Sequence, residues 1–157
     1  MAALFFLSIH PCKAIERLGY VGQTWSFPVF FTPVKSYDEI TYHLDLGYFL
    51  TEKWSAVIAM NIQVAGMQIF MLELGPDFYP VQDVKVMPWI SARLLYTMLP
   101  DGDAGWLTEA GIETHLSKSS ELENLRLRVG VGGGQLFLNP QSTFFLEMVR
   151  VGLIWNF

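Results

Sequence analysis

The chain has 157 residues, 52% of them hydrophobic, 15% aromatic and 16% charged, with a net charge of −5 and a mean hydropathy of +0.32. This length suits one domain, and the charged fraction lies below the roughly 25% of an average soluble domain. A negative balance without a basic stripe excludes nucleic acid as a partner, and no apolar run reaches the roughly 18 residues of a membrane-spanning helix.

Residues 1–14 read as a signal peptide or its remnant. Ala2 to Ile9 form an apolar core, and Cys12-Lys13-Ala14 puts small residues at the −3 and −1 positions of a cleavage site. The mature chain then starts near Ile15, and residues 15–157 form the one folded domain. Cys12 is the single cysteine. It leaves with the leader, so no disulfide is expected, and His10-Pro11 before it does not resemble a lipid-attachment site.

From there on, alternation with a period of two residues dominates, which is the primary signal of a strand. Eight strands are expected: Tyr20 to Thr32, Ile40 to Leu50, Trp54 to Val64, Gln68 to Phe78, Lys85 to Met98, Gly105 to Leu116, Asn124 to Gly134 and Thr143 to Phe157. The second is the clearest. Ile40, Tyr42, Leu44, Leu46, Tyr48 and Leu50 make one apolar face, and Thr41, His43, Asp45, Gly47 and Phe49 make the other. Lengths of 10 to 14 residues match the roughly 9 to 11 of a tilted membrane strand better than the 5 to 6 usual in soluble sheets. Pro28 interrupts the first strand and cannot donate a ladder hydrogen bond. The connections include Pro33 to Glu39, Ala65 to Met67, Ser117 to Glu123 and Gln135 to Ser142.

Alternation alone fits either a soluble sandwich or a membrane barrel. Two further patterns favour the barrel. Trp25, Tyr48, Trp54, Phe78, Tyr79, Tyr96, Trp106, Phe144, Phe145, Trp155 and Phe157 fall towards strand ends, as aromatic girdles require. Lys35, Lys53, Lys85 and Lys118 sit in or beside connections, whereas Arg93, Arg126, Arg128 and Arg150 sit within strands. Guanidinium is the cation suited to paired, confined sites.

The last eight residues, Arg150-Val151-Gly152-Leu153-Ile154-Trp155-Asn156-Phe157, resemble the C-terminal assembly signal of bacterial outer-membrane barrels. Arg150, Gly152, Trp155 and Phe157 occupy its polar, Gly, hydrophobic and terminal aromatic places. Gly47 to Trp54 is similar to the short periplasmic turns of small barrels of the OmpA, OmpX and OmpW kind. The resemblance implies an all-β, eight-stranded, antiparallel, up-and-down transmembrane β-barrel in the bacterial outer membrane. It also implies a monomer whose partners are outer-membrane lipids and, through the C-terminal strand, the barrel-assembly machinery.

With the apolar parity facing lipid, the opposite parity lines the lumen. It carries Asp45, Glu73, Asp77, Glu109 and Glu113 against Arg93, Arg126, Arg128 and Arg150, with His43, His115, Asn61 and Gln63 nearby. An eight-stranded barrel is only wide enough for side chains to fill it, so an ion-pair network of Glu73, Arg93, Glu109, Glu113, Arg126, Arg128 and Arg150 is expected to plug it. A turn centred near Ser119 and Ser120 would set Glu113 opposite Arg126 and Gly111 opposite Arg128. Glu147 breaks the pattern, because it shares parity with the lipid-facing residues of the last strand. A bulge beside it, or a place above the apolar band, would accommodate it.

No reaction is specified. His115-Leu116-Ser117 has the His-any-Ser order of lipid A deacylases, but Glu121 and Glu123 follow too closely and Lys118 stands where Asn is expected. Glu109 and Glu113 could serve as paired acid and base, yet two Arg beside them suit a structural network. Gly130-Val131-Gly132-Gly133-Gly134 lacks the Lys and helix of a phosphate loop, and no Cys or His cluster has metal-ligand spacing. No catalytic, cofactor or metal residue is therefore expected. The leading class is a non-enzymatic structural or surface-interaction barrel. The alternatives are a lipid-modifying enzyme or small hydrophobic-ligand carrier in the same membrane, and more distantly a soluble lipocalin-like barrel.

Overall fold

A computed structural model describes residues 18–31, 36–38, 40–63, 70–81, 84–99, 102–116, 124–137 and 142–157. The expected leader lies outside them. The described residues form nine strands: β1 (Gly19–Phe31), β2 (Ser36–Asp38), β3 (Thr41–Phe49), β4 (Trp54–Gln63), β5 (Phe70–Phe78), β6 (Val86–Leu99), β7 (Ala104–His115), β8 (Leu125–Phe137) and β9 (Ser142–Asn156). Each long strand pairs antiparallel with its sequence neighbour, and β1 also pairs with β9, so the sheet closes. The result is an eight-stranded, all-β, up-and-down barrel.

The ninth strand is not an extra stave. β2 pairs with β1 in the same register as β3: Val29 faces Asp38 and Ser26 faces Thr41. The break falls opposite Phe27 and Pro28, and Pro28 has no N–H to offer the ladder. The expected connection Pro33 to Glu39 thus contains a strand. A second difference lies in β8, which runs to Phe137 instead of Gly134, paired with Ala104 on one side and Ser142 on the other. Three consecutive glycines, Gly132 to Gly134, erase the alternation that would have marked its continuation.

Burial follows strict alternation in β3 and β4. Leu44, Leu46, Ile58, Met60, Ile90, Leu94, Val131 and Leu153 are among the many large apolar side chains exposed on the outside. The buried face instead holds Asp45, Glu73, Asp77, Arg93, Glu109, Arg128 and Arg150. This polarity is the reverse of a soluble barrel. Outward aromatics gather near both rims. Trp54 and Phe78 stack at 4.6 Å at the rim of the short turns, with Tyr48, Trp155 and Phe157 exposed beside them. Trp25 and Tyr42 pack at a tilt with ring centroids 4.9 Å apart towards the other end. Two aromatics expected in the girdles, Tyr79 and Phe145, instead point inward, 2% and 7% exposed. Nearness to a strand end had grouped them with the girdles, but parity decides the face.

Local chemistry shapes the turns and the seam. Between β3 and β4, Thr51 Oγ1 accepts from the N–H groups of Lys53 and Trp54 at 3.2 and 3.1 Å. Between β6 and β7, Gly102 takes a φ of 70°, which costs glycine little. At the β1–β9 seam, Phe157 N–H donates to Gly19 O at 2.9 Å and Leu18 N–H donates to Phe157 O at 2.8 Å, so the last residue is held within the sheet.

β9 carries the one deviation that reorganises the interior. Arg150 faces Gly130 of β8 and Ser26 of β1, whereas Glu147 faces Gly132 and Pro28. Three steps along β9 therefore match two along both neighbours, which defines a β-bulge between Glu147 and Arg150. Even-numbered residues point inward below it and odd-numbered residues above it. Glu147 is 2% exposed, inside the lumen. Of the two accommodations open to it, the bulge is the one present.

Gly47 is the clearest place where a missing side chain positions another. The Tyr20 ring lies against it, where a Cβ would overlap the ring, and the Tyr20 hydroxyl donates to Asp77 Oδ2 at 2.6 Å. Gly47→Ala is predicted to displace the ring and lose about 1–3 kcal/mol, read as a lower urea midpoint in detergent. An unchanged midpoint would show that the ring has slack.

Candidate functional site: the barrel lumen

The interior is layered. Next to the short turns, Tyr20, Phe49, Val57, Tyr79, Trp89 and Ile154 form an apolar and aromatic floor. Near the opposite mouth, Met71, Leu95, Leu107, Leu136 and Phe145 form a second apolar cluster. Between them lies the charged layer.

Arg128 organises its lower part. Its guanidinium lies 4.0 Å over the Trp89 ring and donates through Nη2 to Asp77 Oδ2 at 2.7 Å and to the Tyr79 hydroxyl at 3.2 Å. Its Nε is 3.0 Å from Glu113 Oε1. Arg93 pairs with Asp77 from the other side and donates to the Gly75 carbonyl at 3.0 Å. That carbonyl borders a gap in the β5–β6 ladder, where Gly75 and Pro76 have no paired residue. A side chain thus caps a backbone acceptor beside the interruption. Arg126 lies 3.8 Å from Glu113 and donates to the Met87 sulfur at 2.9 Å.

Arg150 organises the upper part. Nε donates to Thr24 Oγ1 at 2.8 Å, Nη1 to both Glu109 oxygens at 2.9 Å, and Nη2 to Asp45 Oδ1 and Oδ2 at 2.7 and 2.9 Å. One side chain on β9 therefore reaches β1, β3 and β7. Ser91 adds a donor to Glu109 at 3.1 Å, and Asn61 donates to Glu73. Glu73 Oε2 also lies 3.9 Å from Arg93 Nε and 3.8 Å from Arg150 Nη1.

The seven residues singled out from sequence, Glu73, Arg93, Glu109, Glu113, Arg126, Arg128 and Arg150, are all inside the barrel and at most 3% exposed. The pairing expected between β7 and β8 is off by two residues. Glu113 faces Arg128 and His115 faces Arg126, while Gly111 faces Gly130. An even slip leaves every side chain on its own face, so Glu113 and Arg126 still share the lumen. His115 is half-buried at the end of β7. Ser117 lies outside the described residues. Sequence reasoning missed Tyr20, Tyr79 and Trp89 as partners of the charges. Trp89 shares the parity of Arg93, and Tyr79 that of Asp77, which was the signal available.

Above Arg150, His43 stands between two carboxylates. Nδ1 is 3.7 Å from Glu73 Oε1, and Nε2 is 3.3 Å from Glu147 Oε1 and 2.6 Å from Ser26 Oγ. A cavity of about 20 Å³ borders this group, with Ser26, Thr41, His43, Asn61, Glu73 and Glu147 on its polar side and the upper apolar cluster on the other. Among the described residues, no group of His, Cys, Asp and Glu is arranged to hold a metal ion.

Removing a guanidinium from such a layer leaves its acids buried and unpaired, which typically costs about 3–5 kcal/mol. Arg150→Met is predicted to lose stability in that range by urea unfolding in detergent. The triple change Arg150→Met, Asp45→Asn and Glu109→Gln should recover part of the loss. Equal losses in both variants would mean that charge pairing is not what Arg150 supplies.

No protein-family model and no curated protein matches the chain. Solved structures do. Neisserial surface protein A superposes with a TM-score of 0.67 at 12% identity, over 88% of this chain and 97% of that one. A de novo designed transmembrane β-barrel gives 0.57 at 14% identity, over 87% and 95%. The N-terminal β-barrel domain of Pseudomonas aeruginosa OprF gives 0.55 at 12% identity, over 88% and 99%. At these identities the likeness concerns the backbone, and it extends nearly end to end in both natural proteins. The chain has the fold of the small eight-stranded outer-membrane β-barrels.

Proposed function

We propose that the chain is a non-enzymatic protein of the bacterial outer membrane, a barrel plugged by its own ion pairs that serves a structural or surface-interaction role. The observation that carries this reading is the inverted polarity. A band of exposed Leu, Ile, Val and Met surrounds the barrel between aromatic rims, while buried charge fills its interior. An exposed apolar surface of that extent is unstable in water and suits hydrocarbon. The cavity of about 20 Å³ is close to the smallest space that holds one water, which favours a plug over a channel. The natural neighbours in fold are outer-membrane barrels, which supports the location. Lipids are the partners of the outer band. Arg150, Gly152, Trp155 and Phe157 supply the C-terminal signal through which the assembly machinery would receive the chain, and the protein acts as a monomer.

One observation favours a lipid-modifying enzyme instead. Ser26, His43 and Glu73 stand in the order of a hydrolase triad, with 2.6 Å between Ser26 Oγ and His43 Nε2. Glu147 argues against it, because a ring nitrogen that donates to this second carboxylate has no lone pair for the serine proton. Ser26 is also fully buried.

Refolded in detergent, the chain should run compact on a gel when unboiled and extended when boiled, and should give no conductance steps in planar bilayers. Recovery as a detergent-free soluble monomer would defeat the membrane reading, and stepwise conductance would defeat the plug. Labelling of Ser26 by a fluorophosphonate, or a lost acyl chain on lipid A in cells expressing the protein, would establish the enzyme reading.

A further inference from the structure

Glu109 and Glu147 meet across a glycine. Both face Gly132 of β8, Glu109 from β7 and Glu147 from β9. A Cβ on Gly132 would come within 2.8 Å of Glu109 Cγ, so the glycine leaves open the space that the Glu109 side chain occupies. Both acids are buried, 3% and 2% exposed, and their carboxyl groups share a hydrogen bond. An ionised carboxylate only accepts, so a hydrogen bond between two of them requires a proton. Glu147 Oε2 shows the same need, because it is buried with no donor among the described residues.

The charge count leads to the same proton. Among the described residues the buried acids are Asp45, Glu73, Asp77, Glu109, Glu113 and Glu147, and the buried cations are Arg93, Arg126, Arg128, Arg150 and the imidazole of His43. His43 has Glu73 beside Nδ1 at 3.7 Å and Glu147 beside Nε2 at 3.3 Å, and acceptors at both ring nitrogens suit the doubly protonated ring. Even with that charge the acids exceed the cations by one. A proton shared by Glu109 and Glu147 removes the excess. The surrounding strands supply no other remedy. β3 brings His43 and Asp45, β5 brings Glu73, β6 brings Arg93, and β9 brings Arg150, whose Nη1 already donates to both Glu109 oxygens. β1 and β8 meet the pair with Ser26, Pro28 and Gly132, which carry no charge.

We propose that the upper lumen holds one exchangeable proton between Glu109 and Glu147, and that this proton makes the stability of the barrel pH-sensitive. With it, the buried charges balance. Without it, two carboxylates stand together in the interior, where like charges oppose each other's ionisation and an uncompensated charge is costly. The proton links β7 to β9 across β8. Glu147 also lines the cavity of about 20 Å³ beside His43, which has room for one water and gives the proton a path to the pair. Unfolded glutamates have released their protons well below neutral pH. A folded chain that still holds one binds more protons than the unfolded chain, so stability falls as pH rises. The pair lies in the folded interior, so its test does not depend on where the barrel resides in the cell.

The test uses the full folded chain in a zwitterionic detergent. Infrared spectra at neutral pH are expected to show the carbonyl band of a protonated carboxyl, which moves in heavy water and moves again when the glutamate side chains are isotope-labelled. Glu147→Gln puts an N–H donor where the proton stood, and Glu109→Gln does so from the other side, so each should abolish the band. In urea unfolding above neutral pH, the unfolding constant of the parent chain should rise by up to about tenfold per pH unit for this one proton. Glu147→Gln should show a shallower rise and be at least as stable as the parent chain at alkaline pH. His43 also releases a proton as pH rises, but an imidazole gives no carboxyl band. A parent chain without the band at neutral pH overturns the proposal. So does a band that survives in both variants, because another acid would then hold the proton. Equal pH slopes in the parent chain and Glu147→Gln would likewise overturn it.

Discussion

Charge buried inside the sheet is the constraint on which the rest of this barrel depends. Eight strands enclose an interior that side chains must fill, and here the filling is ionic. Every buried acid and base then needs a partner across the lumen, because desolvation makes a lone charge prohibitive. The bonds therefore act as spokes. Arg150 joins β9 to β3 and β7, and Arg128 joins β8 to β5. These links join strands that are not adjacent in the sheet, so they govern the cross-section in a way that ladder hydrogen bonds cannot.

The spokes also explain the choice of cation. A guanidinium offers five donors in a plane, and Arg150 uses them on Thr24, Glu109 and Asp45 together. An ammonium could not reach acids on two sides at once. The lysines described, Lys53 and Lys85, sit in the connections at the ends of strands. Aromatic residues complete the solution: Trp89 and Tyr20 offer ring faces to Arg128, and the hydroxyls of Tyr20 and Tyr79 bond to Asp77 and Glu113. The glycines do the complementary work by leaving room, as Gly47 does for the Tyr20 ring.

Much of this was legible from sequence because a strand's period of two sorts its residues without reference to any neighbour. Asp45, Glu73, Arg93 and Arg128 could be assigned to the interior from their own strands alone. What escaped was relational. The register of β7 on β8 could slip by two residues without moving a side chain across the sheet, so alternation could not fix Glu113 opposite Arg128. The inward turn of Glu147 arises from pairing with β1 and β8 together, and within β9 it looks only like a misplaced acid. Tyr79 and Phe145 were misread because position along a strand was given more weight than parity. The His43 group was invisible for the same reason. Its members come from β1, β3, β5 and β9, and no spacing in the chain announces that they meet.

The bulge in β9 has a consequence for how the strand tolerates change in length. In effect the strand is written in two frames, one read from Thr143 to Glu147 and the other from Arg150 to Asn156, with the switch placed between them. Losing a single residue at the switch would leave Glu147 and Arg150 two steps apart, matching the two steps on each neighbour, so the strand would run in one frame with both inward faces kept. A residue lost lower in the strand would instead move every residue above it by one place. Phe144 and Leu146 would be driven into the charged interior, and Glu147 onto the apolar outside. Substitutions act on one contact each, whereas an indel in the regular part of the strand acts on a whole face. The bulge is thus the place where the strand can give up a residue without turning a face.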